Sequence, residues 1–286
     1  MALSRTIFAV SALLGSLTVW AFAQPAPPQP KPEMLENCPG LVAGGSPLLK
    51  PVAYRPAAFQ TASLAADQVR ISYAGHSTFL LESPGGVKIA TDYNDYVKPR
   101  VLPDIVTMNH AHSTHFTDNP DPGIAHVLRG WGPSPDQPAR HDLQFRDVRV
   151  RNVPTNIRSW GGETERHGNS IFIFEVANLC IAHLGHLHHT LTQQQLNEIG
   201  RIDAVMVPVD GGVTLDLDGM AEVLQALKAP LMIPMHYFST YSLRRFLSTL
   251  GEKSVEVEMS EVSSVVVSKA TLPAKPKLLV LPGRTF

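Results

Sequence analysis

The sequence predicts one mixed α/β domain that begins near residue 67. Two observations carry that reading. Short β-rich runs separated by turn residues succeed one another from Val69, while helical periodicity is confined mostly to the later half. No internal repeat, long charge run or linker interrupts residues 67–286, so a single domain is the economical reading.

Taken in order, the chain opens on an expected signal peptide at residues 1–23. Arg5 supplies the positive start, Ile7 to Trp20 the apolar run, and Ala21-Phe22-Ala23 a small-residue cleavage signal. That run is shorter than the roughly 20 apolar residues a membrane span needs, so no stable membrane insertion is expected after its removal. A periplasmic or secreted protein is the corresponding expectation. Residues 24–66 form a Pro-rich tether and irregular lead-in, with Pro25, Pro27, Pro28, Pro30 and Pro32 favouring extended, solvated backbone.

The runs at 69–75, 77–83 and 87–93 read as strands, and Pro84-Gly85-Gly86 marks a hairpin between the second and third. Asp104 to Met108 is a further apolar strand leading into a histidine group. A second strand-rich set spans 148–154, 170–176 and 179–183. Thr192 and Gln195 form a capping box that starts a helix ending at Gly200, with Leu191 and Leu196 at staple positions. After a strand at 203–209, Met220, Val223, Leu224 and Leu227 recur at helical spacing up to Lys228 and Pro230. A last strand, 231–235, delivers His236.

Charge and cysteine content narrow the function classes. Lys and Arg number 24 against 25 Asp and Glu, which leaves no basic footprint for a nucleic acid. The partner expected is a small-molecule substrate. Cys38 and Cys180 are the only cysteines, and an exported chain permits a bridge between them. Two separate thiols fit the spacing equally well.

The twelve histidines are not scattered evenly. His110, His112 and His115 follow one predicted strand, His183, His186, His188 and His189 follow another, and His236 follows a third. Imidazoles at strand ends can converge at one sheet edge. In extended backbone, residues i and i+2 point the same way, so His110 and His112 would grip one ion together. Neutral imidazole is a common ligand for zinc. Solvated loop histidines would explain one such residue better than three groups at three strand ends.

This pattern resembles the metallo-β-lactamase superfamily, whose first motif reads HxHxDH where this chain has His-Ala-His-Ser-Thr-His at 110–115. The branch it is most similar to contains ascorbate-6-phosphate lactonases and N-acyl-phosphatidylethanolamine phospholipase D. Its marks are Gly75-His76 in a strand, Asp92 after the next strand, the loop Pro208-Val209-Asp210-Gly211-Gly212, and Pro234-Met235-His236-Tyr237. The resemblance covers about residues 69–240 and implies an αββα sandwich of two mixed sheets flanked by helices, with the metal site at one edge. It implies that His110, His112 and His183 hold a first metal and that His115 and His236 serve a second. The metal would be zinc, as one or two ions, with iron, manganese and nickel compatible with the same ligands.

Two departures from the family pattern bear on mechanism. Thr114 stands where the family has the aspartate of HxHxDH, and His186 stands where it has a metal-bridging aspartate. Either a single metal on His110, His112 and His183 dominates, or a second ion sits on His115, His186 and His236. Asp210, where the family usually has glycine, is a candidate to offset charge or accept a proton. The other reading of Asp210 is a turn-forming residue before Gly211-Gly212. Thr114, Asp92 and His76 are further catalytic candidates, with Asp92 read as fixing a ligand from behind. His188 and His189 are expected beside the ligands or at the surface. Trp131, Trp160 and His167 are candidates for the pocket wall, and His126 and His141 for the surface.

The function implied is metal-dependent hydrolysis of an ester, lactone, amide or phosphodiester. A non-catalytic metal-binding or sensory protein on a degraded hydrolase scaffold is the alternative, and redox chemistry at a His-rich iron site is a third. The enzymatic reading depends on His110, His112 and His183 sharing one ligand sphere.

Overall fold

Val69, Ile71 and Tyr73 are buried while their neighbours are half-exposed, the period-2 pattern of a strand with one face on a core. The central runs at 179–183, 204–208 and 231–235 are buried at every position, as expected of strands covered on both faces. A computed structural model describes residues 63–110, 112–134, 136–159, 161–250 and 255–283. The expected leader at 1–23, the tether up to residue 62, Cys38 and Trp160 lie outside the described residues.

The strands are β1 (Val69–Gly75), β2 (Thr78–Glu82), β3 (Lys88–Ala90), β4 (Ile105–Met108) and β5 (His126–Arg129). They continue with β6 (Asp142–Phe145), β7 (Val148–Arg158), β8 (Thr164–Val176), β9 (Leu179–His183) and β10 (Ala204–Pro208). Last come β11 (Leu231–Met235), β12 (Glu256–Met259), β13 (Ser264–Val267) and β14 (Lys277–Val280). The helices are α1 (Gln193–Ile199), α2 (Leu217–Leu227) and α3 (Thr240–Leu250). None of the described helices is long and apolar enough to cross a membrane.

Two mixed sheets result. One has six strands in the order β13-β1-β2-β3-β4-β5, the other eight in the order β12-β14-β11-β10-β9-β8-β7-β6. β3, β4 and β5 run parallel in the first sheet, and β9, β10, β11, β14 and β12 run parallel in the second. Ile71, Phe79, Leu81, Phe172, Phe174, Met206 and Ile233 fill the space between the sheets. Each such side chain contributes about 1.5–3 kcal/mol by leaving water.

Ile173, Val205, Val207 and Met232 point to the other face of the larger sheet, where Ile199, Met220, Val223, Leu227 and Phe246 of the helices cover them. This is the α/β sandwich expected. Among the described residues, all three helices pack on that sheet. The outer face of the smaller sheet is covered instead by Tyr93, Phe116, Ile124 and Trp131 from its loops.

Local sequence explains the helix ends. Thr192 accepts from the Gln195 backbone N–H while the Gln195 side chain and the Thr192 backbone N–H close the capping box. Asp216 accepts from the Gly219 N–H at the start of α2, and Lys228 ends that helix in the left-handed conformation. Cys180 is fully buried in β9 and disulfide-bonded.

Candidate metal centre

Parallel order gives the site its place. β3 leads to Asp92, β4 to His112 and His115, β9 to His186 and His188, β10 to Asp210 and β11 to His236. All lie beyond the C-terminal ends of parallel strands, where open α/β sheets place their ligands. The β1–β2 corner adds His76. It is tied down by the His236 backbone N–H and the Tyr73 hydroxyl, which donate to the His76 carbonyl at 2.8 and 2.7 Å. His76, Asp92 and His236 all hold positive φ, a conformation that concentrates at functional sites.

Four imidazoles, those of His76, His112, His115 and His236, each offer a nitrogen within 4.8 Å of the others. His186 joins them, its ring 4.7 to 4.9 Å from those of His115, His112 and His236. The shortest approaches are His112 Nε2 to His186 Nε2 at 3.1 Å and His115 Nε2 to His236 Nε2 at 3.3 Å.

Carboxylates stand behind two of these rings. Asp92 Oδ2 accepts from His115 Nδ1 at 2.6 Å, and its Oδ1 accepts from the Asn109 amide at 2.9 Å. Asp210 Oδ2 accepts from His236 Nδ1 at 2.9 Å and from the Thr214 hydroxyl, while its Oδ1 takes the backbone N–H groups of Gly212, Val213 and Thr214. A carboxylate on Nδ1 leaves the lone pair on Nε2, the tautomer a metal requires.

Burial shapes the charges. It pushes His115 and His186 well below the ordinary histidine range, with neighbouring imidazoles adding to the effect. His76 is pushed down to about 3 by burial and then by His236, and His112 is lowered for the same reasons. Burial raises the Asp92 carboxyl. Burial also works on Asp210, but the hydrogen bond and charge of His236, together with Thr214 and the Gly212 N–H, outweigh it and hold that carboxyl well below the usual range.

These facts test whether a metal fits. With His115 and His236 both donating through Nδ1, two Nε2 lone pairs face each other across 3.3 Å. They repel unless a positive charge, a proton or a metal ion, lies between them. Neutral, buried imidazoles in that tautomer are the donor set of a zinc-like ion. His112, His115 and His236 would hold it, with His76 beside them. No carboxylate oxygen belongs to that group of four ligand atoms.

The trio His110, His112 and His183, expected as the first ligand set, is not brought together in the structure. β4 stops at Met108 and the chain turns, with the His115 N–H donating to the His112 carbonyl, so the extended geometry that would align His110 with His112 is absent. His110 turns outward to Glu165 at 2.7 Å and lies against Trp131 and Phe116. His183 has both nitrogens engaged: Nε2 donates to the Ser77 carbonyl at 2.8 Å, and Nδ1 accepts from the Gly185 N–H at 3.1 Å. Imidazoles from the same three stretches do meet, in the different combination described above.

Other candidates fall as follows. Thr114 Oγ1 lies 2.8 Å from both His76 Nε2 and His112 Nδ1. His188 sits behind His186, with Nε2 to Nδ1 at 2.5 Å. His126 is half-buried against Phe145, and His141 contacts the Arg129 carbonyl. Asn109, Ser77, Glu165 and Phe238 had no signal in the sequence. Asn109 is a hub, donating to Asp92 and accepting from the Ser170 N–H. Gly185, at φ +61°, passes so near it that a Cβ would lie 2.4 Å from Asn109 Nδ2.

Comparison with known proteins decides the family. The β-lactamase superfamily domain matches residues 70–236, a span that runs from β1 to the last imidazole of the cluster. The chain belongs to the metallo-β-lactamase superfamily. Among relatives of that superfamily member, a UPF0173 metal-dependent hydrolase of Thermoplasma acidophilum is 25% identical over 225 residues, which is 70% of this chain and 99% of the relative. A UPF0173 metal-dependent hydrolase of Nanoarchaeum equitans is 26% identical over 186 residues, 59% of this chain and 84% of its own. A solved structure described as a Zn-dependent hydrolase of the superfamily, from Thermotoga maritima, is 27% identical with a TM-score of 0.56, covering 76% of this chain and all of the other.

Proposed function

We propose that this chain is an exported metal-dependent hydrolase that cleaves an ester, lactone, amide or phosphodiester of a small-molecule substrate in the cell envelope, using zinc. The observation that carries the reading is the pair of Nε2 lone pairs of His115 and His236, 3.3 Å apart and each set by a carboxylate behind the ring. The metal-dependent hydrolase relatives support it. Export is supported by the pattern at residues 1–23 and by a disulfide at Cys180, a bond that persists in oxidising compartments.

When bound, the ion would supply Lewis acidity and lower the pKa of a bound water toward about 7. The chain's own residues do the rest. Asp92 and Asp210 fix His115 and His236 in the ligating tautomer, Asn109 holds Asp92, and Thr114 bridges His112 and His76. Phe238, largely exposed beside the rings of His76 and His236, forms an apolar flank for the substrate.

The lactonase and phospholipase branch remains the resemblance that fits best, with Thr114 and His186 in place of its two aspartates. That favours one ion over two. Two dications about 3.5–4 Å apart repel strongly without an anion between them. Here Asp92 and Asp210 are both spent on imidazoles. The same substitutions favour the second reading, a metal-binding protein without turnover, because both family carboxylates are lost and Thr114 is a poor general base.

Metal analysis of the purified protein with a panel of chromogenic esters, lactones, amides and phosphodiesters, with and without chelator, separates the two. One zinc per chain and chelator-sensitive turnover are expected. Full loading without turnover would establish the second reading, redox-active iron would establish a third, and absence of any bound metal would defeat all of them.

A further inference from the structure

The hydrogen bonds behind His186 fix where its proton sits, and this follows without any ionisation. The backbone N–H of Arg158 donates to His188 Nδ1 at 2.6 Å. A backbone N–H can only donate, so Nδ1 of His188 carries no hydrogen and its Nε2 carries one. That Nε2–H donates to His186 Nδ1 at 2.5 Å. His186 must then carry its own hydrogen on Nε2, the atom that faces the cluster 3.1 Å from His112 Nε2.

The relay continues in one direction. His112 Nε2 accepts from His186, so the His112 hydrogen lies on Nδ1 and donates to Thr114 Oγ1 at 2.8 Å. Thr114 Oγ1 also lies 2.8 Å from His76 Nε2. Reversing the His186–His112 or the His112–Thr114 link would set two hydrogens face to face at His188 or at His112, whereas the hydroxyl of Thr114 can meet His76 in either direction.

We infer that His186 presents a fixed N–H to the centre as a positioning donor and is not a metal ligand. Ligation through Nε2 would require His186 to move its hydrogen to Nδ1, against the Nε2–H of His188, which the Arg158 N–H prevents from shifting to Nδ1. This inference rests on the proposed metal-dependent hydrolysis for its purpose. With His112 Nε2 given to a metal, the His186 N–H turns to an oxygen between the imidazoles, of water or of the scissile group. A preorganised donor of this kind is worth about 10²–10³ in kcat. The position where the resembling family carries a metal-bridging carboxylate, an acceptor, has become a donor.

The test is the histidine side-chain ¹⁵N spectrum of the full chain, recorded metal-free and with zinc added, with His186→Gln for assignment. The expected pattern is a hydrogen-bearing Nε2 and a bare Nδ1 on His186 in both states. A zinc-loaded spectrum with the hydrogen on His186 Nδ1 overturns the inference. In His188→Leu the relay is cut, and His186 is expected to show both tautomers; an unchanged His186 signature also overturns it.

Zinc affinity gives a second readout. The His186→Gln change, which keeps an N–H donor, is expected to weaken zinc by no more than the roughly 10–100-fold that marks loss of an outer partner. A larger loss identifies His186 as a ligand. If wild-type protein binds no zinc, the hydrolase reading fails, while the metal-free spectrum still decides the tautomer.

Discussion

Two histidine stretches follow strands of the two sheets, and they enter the centre on opposite terms. After β4, His110 turns outward and His112 and His115 offer lone pairs. After β9, His183 turns inward to the Ser77 carbonyl and His186 offers an N–H. In both, the first histidine leaves the site and a later one enters. What separates lone pair from N–H is the partner of the other nitrogen. The Asp92 carboxylate and the Thr114 hydroxyl take hydrogens from Nδ1 of His115 and His112, whereas His188 gives one to Nδ1 of His186. A histidine at a strand end is therefore a ligand or a donor according to the group behind it.

The rings that offer lone pairs carry the largest expected effect. Replacing His236 or His115 by Ala is expected to weaken zinc more than about 100-fold, beyond the 10–100-fold typical of outer partners. Competition with a chromogenic chelator measures it. Retention of zinc within a few-fold in both variants would show that neither ring is a ligand.

Changing the group behind a ring has a smaller expected effect. In Asp92→Asn the Oδ1 still accepts from Asn109, so the new NH₂ faces His115 Nδ1 and drives the ring's hydrogen to Nε2. The ring stays in place with the wrong tautomer, the fate known for an Asp-to-Asn change behind a catalytic histidine. Zinc affinity is expected to fall about 10–100-fold with little change in fold by circular dichroism.

Acid titration of the metal-free protein tests the buried cluster as a whole. An unfolded histidine takes up a proton near pH 6.5, while burial holds folded His76 to about 3 and His188 to about 4. Between those limits the unfolded chain binds more protons, so stability rises with pH there. It is fully present above about pH 6.5 and drains as pH falls toward 4 and 3. His112, His115, His183, His186 and His189 are lowered too and steepen the slope. Asp92, whose pKa is raised, opposes it. The urea midpoint is expected to drop steadily from pH 7 to pH 4; a flat profile would mean the imidazoles are solvated in the free protein.

Much of the fold was legible because burial writes itself into sequence. β1 alternates, β9 to β11 are continuously apolar, and the Thr192 capping box starts α1. β6 and β12 left no such trace, since edge strands with few fully buried residues carry weak patterns. Helix α3 buries only Leu243 and Phe246 and is otherwise polar. The site was legible as a set of stretches but not as a set of ligands. The i, i+2 rule holds only while backbone stays extended, and β4 ends two residues before His110. Glu165 and the Arg158 N–H reach His110 and His188 across 55 and 30 positions of chain, and Asn109 reaches Asp92 across 17, relations no local pattern encodes.

The smallest expected effect falls on the histidine that the motif places first. His110 is half-exposed, paired with Glu165 and flanked by Trp131 and Phe116. Such a surface pair contributes roughly 0–1 kcal/mol, and it weakens further with salt. His110→Ala should therefore leave zinc stoichiometry at the wild-type value and shift the urea midpoint only slightly, whereas a true ligand of the family motif would cost the metal. Because His110 and His112 stand two residues apart in one loop, the pair is a matched control: the same stretch, one ring turned to a carboxylate outside and the other to the cluster. If His110→Ala loses zinc as His115→Ala does, the loop must reorganise on metal binding so that β4 continues in extended form through His112.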